Sequence, residues 1–192
     1  IKSLEVIKML NESSNLDIIP TFMGAHDFPN EYINFKDKYV DLICNEMIPQ
    51  VADKKLAIFC DVSCEKGYFN IKQSERILTT GIEYGLIPRL HADEFIDSEA
   101  AKLAADIKAV SADHLMHSSL KNLKKMAHEK VISVLLPGTT FFLGKSQYVN
   151  ANKILDVKGE IAIASDYNPG SCTIQSIPMI MFLSNIYCKL YS

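Results

Sequence analysis

The sequence predicts an α/β fold assembled from parallel βα units, and three observations carry that prediction. Six short apolar runs alternate strictly with segments of helical periodicity along the 192 residues. Those runs are continuously apolar, as strands covered on both faces are, rather than alternating apolar with polar. No linker or low-complexity tract interrupts the alternation, so residues 1–192 read as a single domain. Such an alternation suits either an open doubly wound sheet or a (β/α)8 barrel, and composition does not separate the two.

Leu4, Ile7 and Leu10 lie at helical spacing within residues 1–13, and residues 15–17 break the pattern. Residues 18–25 read as a buried strand running into a polar loop, 26–34. Asp37 is expected to cap a helix whose apolar face is Val40, Ile43, Cys44, Met47 and Ile48. Residues 56–62 form the next strand. The helix over 71–84 stops at Gly85, a C-terminal cap. A strand over 86–90 leads to the polar cluster 91–94, followed by an Ala-rich helix over 98–107 and a strand over 109–114. A helix over 120–128 precedes the clearest strand, 131–136, which is expected to end in a Pro137-Gly138 turn. A short helix over 149–155, a strand over 160–164 and a long apolar helix over 174–190 complete the chain.

Apolar residues make up 48% and charged residues 22%, the balance of a globular domain able to fill one core without a disulfide or metal staple. Lys and Arg total 20 against 23 Asp and Glu, so no basic excess exists to neutralise a phosphate backbone, and a nucleic-acid partner is not expected. Apolar runs fall far short of the ~20 residues of a membrane span, so no membrane partner is expected either. Five cysteines without paired CxxC spacing read as reduced thiols, and the expected location is cytoplasmic. The opening Ile1 carries no signal-peptide pattern, and the natural start is expected upstream.

Position is the informative feature. Strands end in residues capable of chemistry: His26, Asp61, His91 with Glu94, His114 with His117, and Asp166. In a parallel barrel these ends open on one face, where active sites are built. His117 and His128 read as solvated or capping residues, but the convergence of the others on strand ends favours a functional set. His and Asp at separate strand ends are the materials of a catalytic metal site, for which His91 and Asp166 are the two convincing ligands. No G-x-G-x-x-G, Walker-type or G-x-S-x-G string occurs. Gly24, Gly138 and Gly170 read as turns bringing backbone close to a ligand. Cys60 is expected to be a buried thiol and Cys64 a loop thiol.

The run Phe59-Cys60-Asp61-Val62 with Cys64-Glu65-Lys66-Gly67 resembles the imidazolonepropionase family of the amidohydrolase superfamily. So do Gly24-Ala25-His26, His91-Ala92-Asp93-Glu94, Ser111-Ala112-Asp113-His114-Leu115, Leu135-Leu136-Pro137-Gly138-Thr139 and the segment from Ser165 to Ser171. The series keeps its order from about Ile18 onward. The resemblance implies a metal-dependent (β/α)8 TIM barrel with one divalent ion, zinc or iron. It also implies hydrolysis of the ring amide of 4-imidazolone-5-propanoate to N-formimidoyl-L-glutamate in histidine breakdown.

On the same resemblance His91 and Asp166 are metal ligands, and Asp166 is also the general base. Glu94 and His114 hold and protonate the substrate ring. His26, Asn168, Gly170 and Ser171 bind substrate. The family's H-x-H pair and early arginine have no counterpart here. Arg76 falls in a helix and Arg89 at a strand. Residues 1–192 are therefore expected to be the C-terminal part of one barrel, about strands three to eight, without the N-terminal strands and small β-domain. Alone, this part is expected to be inactive. The competing expectations are another amidohydrolase-type heterocycle hydrolase or deaminase, and a non-catalytic fragment acting as a binding module. A small-molecule partner is expected, and a homodimer is left open.

Overall fold

The computed structural model describes residues 1–191 of the chain. The six expected strands form, and helices separate them. Strand order in the sheet follows chain order, β1-β2-β3-β4-β5-β6. Tertiary contacts gather into two compact units, Ile1–Leu90 and His91–Ser192.

In the first unit, helix α1 (Lys2–Ser13) precedes β1 (Thr21–Ala25), which pairs in parallel with β2 (Phe59–Cys64). β1 begins later than the apolar run because Pro20 supplies no N–H, and its carbonyl instead accepts from Ile58 N at 3.0 Å. Helix α2 (Lys36–Leu42) passes through a wider π-type turn, Ile43–Met47, into α3 (Ile48–Asp53). Pro49 explains that turn: it lacks the N–H of a regular ladder, and its ring crowds the carbonyl four residues back. Asp37 does not cap the helix as expected. The cap position is Phe35, with no side-chain bond, and Asp37 instead accepts from Gln73 Nε2 at 2.8 Å.

Helix α4 (Ile71–Glu83) starts at a reciprocal cap, Asn70 Oδ1 accepting from Gln73 N at 3.0 Å and Gln73 Oε1 from Asn70 N at 3.1 Å. Ile43, Ile48, Val51, Val62, Phe69, Ile77 and Leu78 fill the core of this unit. β3 (Ile87–Ala92) begins within it.

In the second unit come α5 (Ala100–Asp106), β4 (Ser111–His114), α6 (Leu120–His128), β5 (Ile132–Leu135), α7 (Pro137–Phe142), α8 (Ala151–Asp156), β6 (Ile161–Ile163) and α9 (Ile177–Cys188). β4 pairs in parallel with β5 through Ser111↔Ile132, and β5 with β6 through Ser133↔Ile161. Leu123, Met126, Leu135, Ile154, Ile180 and Leu183 lie buried on the helices and strands between. The expected Pro137-Gly138 turn is instead the start of α7. Proline at a first helical position gives up no hydrogen bond, so the same dipeptide opens a helix here.

One device recurs at the five helix ends that lead directly into strands, and at four of them it explains why the strand starts later than its apolar run. Lys55, Gly85, Lys108, Lys130 and Lys158 are left-handed, with φ of 50°, 82°, 53°, 59° and 64°. In each case the next amide bonds back five residues: Leu56 N to Val51 O, Leu86 N to Gly81 O, Ala109 N to Ala104 O, Val131 N to Met126 O and Gly159 N to Ile154 O, all at 2.8–2.9 Å. This is the Schellman closure, in which the residue after the left-handed one folds back onto the helix it ends. At Leu56, Leu86, Ala109 and Val131 the first apolar residue of the run therefore belongs to the helix cap, not the strand. Lysine holds four of these five left-handed positions, although each costs about 1 kcal/mol that glycine avoids.

Candidate active site

The C-terminal ends of β3 and β4 gather polar side chains in the second unit. β4 carries buried Ser111, Asp113 and His114, an unusual load for a covered strand unless the groups are used. The His91 and His114 rings lie 5.3 Å apart between centroids. Nε2 of His114 is 3.7 Å from Oε2 of Glu94. His91 and Asp113 offer ligand atoms within 4.8 Å of each other, an imidazole and a carboxylate on successive strands. Such N and O donors suit a borderline divalent ion.

Backbone conformation marks the same places. Asp93, His114, Leu115 and Asp166 all have positive φ, at 52°, 76°, 64° and 52°. Non-glycine residues enter this region at a cost on the order of 1 kcal/mol or more and tend to do so where a site dictates direction. Three of the four immediately follow or end a site-bearing strand; Asp166 lies on the loop beyond Ile163, the last residue of β6.

Asp166 is half-buried, and its Oδ2 accepts a hydrogen bond from the Thr139 hydroxyl. Thr139 is buried in the first turn of α7, so the unexpected helix places the hydroxyl that orients Asp166. Asn168 is the hub of its own loop. Its Nδ2 donates to Asp166 O at 2.7 Å and Ser171 Oγ at 2.9 Å, while its Oδ1 accepts from Gly170 N at 2.9 Å and Ser171 N at 2.7 Å. Of the residues expected to contact substrate there, Asn168 thus spends both side-chain polar atoms inside the loop, and Gly170 stays exposed.

In the first unit, His26 follows β1 directly and is exposed, with Nδ1 2.8 Å from the Oγ of buried Ser63. That contact fixes the ring and points Nε2 away from Ser63. Asp61 is buried in β2, with Oδ2 3.9 Å from Arg89 Nε. Cys64 is not a loop thiol: it closes β2 and is fully enclosed, because the strand runs two residues further than its apolar run. Burial pushes the Cys60 thiol up to about 12, which removes it as a nucleophile at neutral pH. All five cysteines are buried, and none is in a disulfide.

Sequence reasoning missed Asp93, Asp113, Thr139 and Ser63 as working residues. Asp113 and Ser63 carried a usable signal, a polar residue inside an otherwise apolar strand. Asp93 is the largest omission: it is 0% exposed, and its carboxylate accepts five hydrogen bonds. It also settles what caps α5. Asp93 Oδ1 accepts from Ala100 N at 3.1 Å and Oδ2 from Ala101 N at 3.3 Å.

No family model matches the chain. The imidazolonepropionase of Brevibacillus brevis is 51% identical over 183 residues, covering 95% of this chain and 43% of that protein. Those of Alkaliphilus metalliredigens and Bacteroides fragilis are 46% and 45% identical, over 99% and 97% of this chain and 45% of each relative. The chain thus spans under half the length of the curated relatives it matches. Among solved structures, an adenosine deaminase from Xanthomonas campestris with bound zinc superposes with a TM-score of 0.68 at 17% identity, over 97% of this chain and 45% of its own. A 5-methylcytosine deaminase from Klebsiella pneumoniae liganded with 5-fluorocytosine gives 0.72 at 13%, over 99% of this chain and 51% of its own. The chain is similar to the imidazolonepropionases over nearly its whole length, and its fold, six parallel strands with helices between them, is the one it shares with these two deaminases.

Proposed function

We propose that the whole protein hydrolyses 4-imidazolone-5-propanoate to N-formimidoyl-L-glutamate. The observation carrying this reading is the 43–51% identity to imidazolonepropionases sustained over nearly the entire chain. We read residues 1–192 as the C-terminal part of one barrel, acting in the cytoplasm and inactive alone. A divalent ion, zinc or iron, would be held by His91 and Asp166; that donors suited to such an ion gather at this strand end is supported by the His91 imidazole and Asp113 carboxylate, whose ligand atoms lie within 4.8 Å of each other. When bound, it supplies Lewis-acid activation of water and carbonyl.

The chain's own residues do the rest. Asp166 accepts the proton of the attacking water, and the Thr139 hydroxyl keeps that carboxylate turned toward its task. Water oxygen bonds to the ring carbonyl carbon, the ring C–N bond breaks, and the departing nitrogen takes a proton. Glu94 and His114, already adjacent, hold the ring and deliver that proton. His26, with its outward nitrogen, and the loop of Asn168, Gly170 and Ser171 bind the substrate. The deaminases support a common fold and carry no argument about substrate. Metal-loaded whole protein should bleach the imidazolone absorbance; deamination of a purine or pyrimidine with that absorbance unchanged would overturn the proposal.

A further inference from the structure

Asp93 stands between His91 and Glu94 in sequence, yet its carboxylate faces away from both roles assigned to them. Oδ1 accepts from Ser98 N at 3.0 Å, Ser98 Oγ at 3.0 Å and Ala100 N at 3.1 Å; Oδ2 accepts from Ala101 N at 3.3 Å and Ser118 Oγ at 2.6 Å. Its backbone carbonyl accepts from His117 N at 3.0 Å, and the neighbouring Ala92 carbonyl from Leu115 N at 3.0 Å. Three segments therefore meet on one buried residue: the loop that carries Glu94, the start of α5, and the loop that follows His114.

We infer that Asp93 is a positioning residue that locks the Glu94 loop to the loop after β4, setting the approach of Glu94 to His114. This rests on the roles proposed above for Glu94 and His114. A buried carboxylate that lacked these donors would be strongly disfavoured, so its five bonds form or break as a group. The left-handed backbone at Asp93, with φ of 52°, adds to the case: a non-glycine residue holds that conformation at a cost, where its surroundings dictate it. Glu94 Oε2 then stands 3.7 Å from His114 Nε2, a spacing that closes on a ligand between them or with a small loop shift.

Replacing Asp93 itself threatens folding, so the test removes one strut. In the whole protein, Ser118→Ala deletes the bond to the second loop, and Ser118→Thr keeps the hydroxyl. Amide hydrogen exchange is read over residues 94–100 and 115–118, alongside kcat and KM on the imidazolone. Ser118→Ala should speed exchange in both segments together and lower kcat about tenfold with little change in KM, since small misplacement is costly to a catalytic group. Ser118→Thr should restore both. In a Glu94→Gln background, Ser118→Ala should lower kcat no further, because the strut works through Glu94. Faster exchange confined to 115–118, or a kcat loss that multiplies fully onto Glu94→Gln, overturns the inference. If the unaltered protein fails to open the imidazolone, the proposed function falls, while the exchange measurement still decides whether Asp93 couples the loops.

Discussion

After β3, the Asp93 carboxylate accepts from residues five, seven, eight and 25 positions away. After β6, the Asn168 side chain bonds, among the described residues, to residues two and three positions away. Both loops carry residues assigned to catalysis and both hang on one side chain. Reach separates them. A clamp onto other elements fixes where a loop stands; a clamp onto its own neighbours fixes only the loop's shape. Glu94 is therefore held in place by its surroundings, whereas the segment from Asn168 to Ser171 can travel as a preformed hook. Asp166, at the root of that hook, is held separately by Thr139.

Replacing the acidic residue of each loop gives the largest contrast. Asp166→Asn in the whole protein should lose both metal occupancy and turnover, by about a thousandfold or more in kcat, the scale of losing a central electrostatic group. Glu94→Gln should keep the metal and lose most of kcat. Elemental analysis beside steady-state rates checks this; equal metal loss in both variants would merge the two roles and erase the difference between the loops.

Stability should separate the clamps next. Asp93→Ala strands several buried donors at once and should cost about 3 kcal/mol, by the usual penalty for unsatisfied buried groups. Asn168→Ala frees groups that water can reach and should cost about 1 kcal/mol. Urea unfolding of the whole protein reads both, and comparable costs would mean that reach does not matter.

The alternation of strands and helices was legible because periodicity reports burial, and burial follows from the βα packing itself. Strand starts were less so. Leu56, Leu86, Ala109 and Val131 are apolar because they fold back onto a helix end, and composition does not distinguish that use from a strand. Gly85 announced its cap, while the four left-handed lysines gave no such sign. In the candidate site, His91, Glu94 and His114 stood out as reactive types at strand ends, and two of the contacts among them are present. Asp93 stayed hidden for a physical reason: an acid beside another acid in a loop reads as solvated surface, and only its five donors, scattered over residues 98–118, reveal that it is the best buried of the set. Thr139 depended in turn on a helix that Pro137-Gly138 disguised as a turn.

Those hidden helix contacts sharpen the comparison at its smallest scale, through two glycines that read alike in the sequence. Gly138 lies in α7, and an added Cβ would meet Ile180 Cδ1 at 2.8 Å, Cys172 Sγ at 3.0 Å and the Ser165 carbonyl oxygen at 3.3 Å. Two of those neighbours are buried and the third is backbone of the segment leading to Asp166, so the helix cannot simply move aside. Gly138→Ala should cost about 2 kcal/mol through overpacking, despite the better helix propensity of alanine. Gly170 lies in the hook, where a Cβ would meet only Asn168 Oδ1 at 3.4 Å, an ordinary contact. Gly170→Ala should therefore change stability by under about 0.5 kcal/mol. Its influence, if the hook closes on substrate, should fall on KM and leave kcat near the unaltered value. Urea midpoints for the two variants, with KM for the second, make the check. A Gly170→Ala protein as destabilised as Gly138→Ala would show that the hook is packed as tightly as the ground beneath Asp166, and that its short-range clamp is not its only anchor.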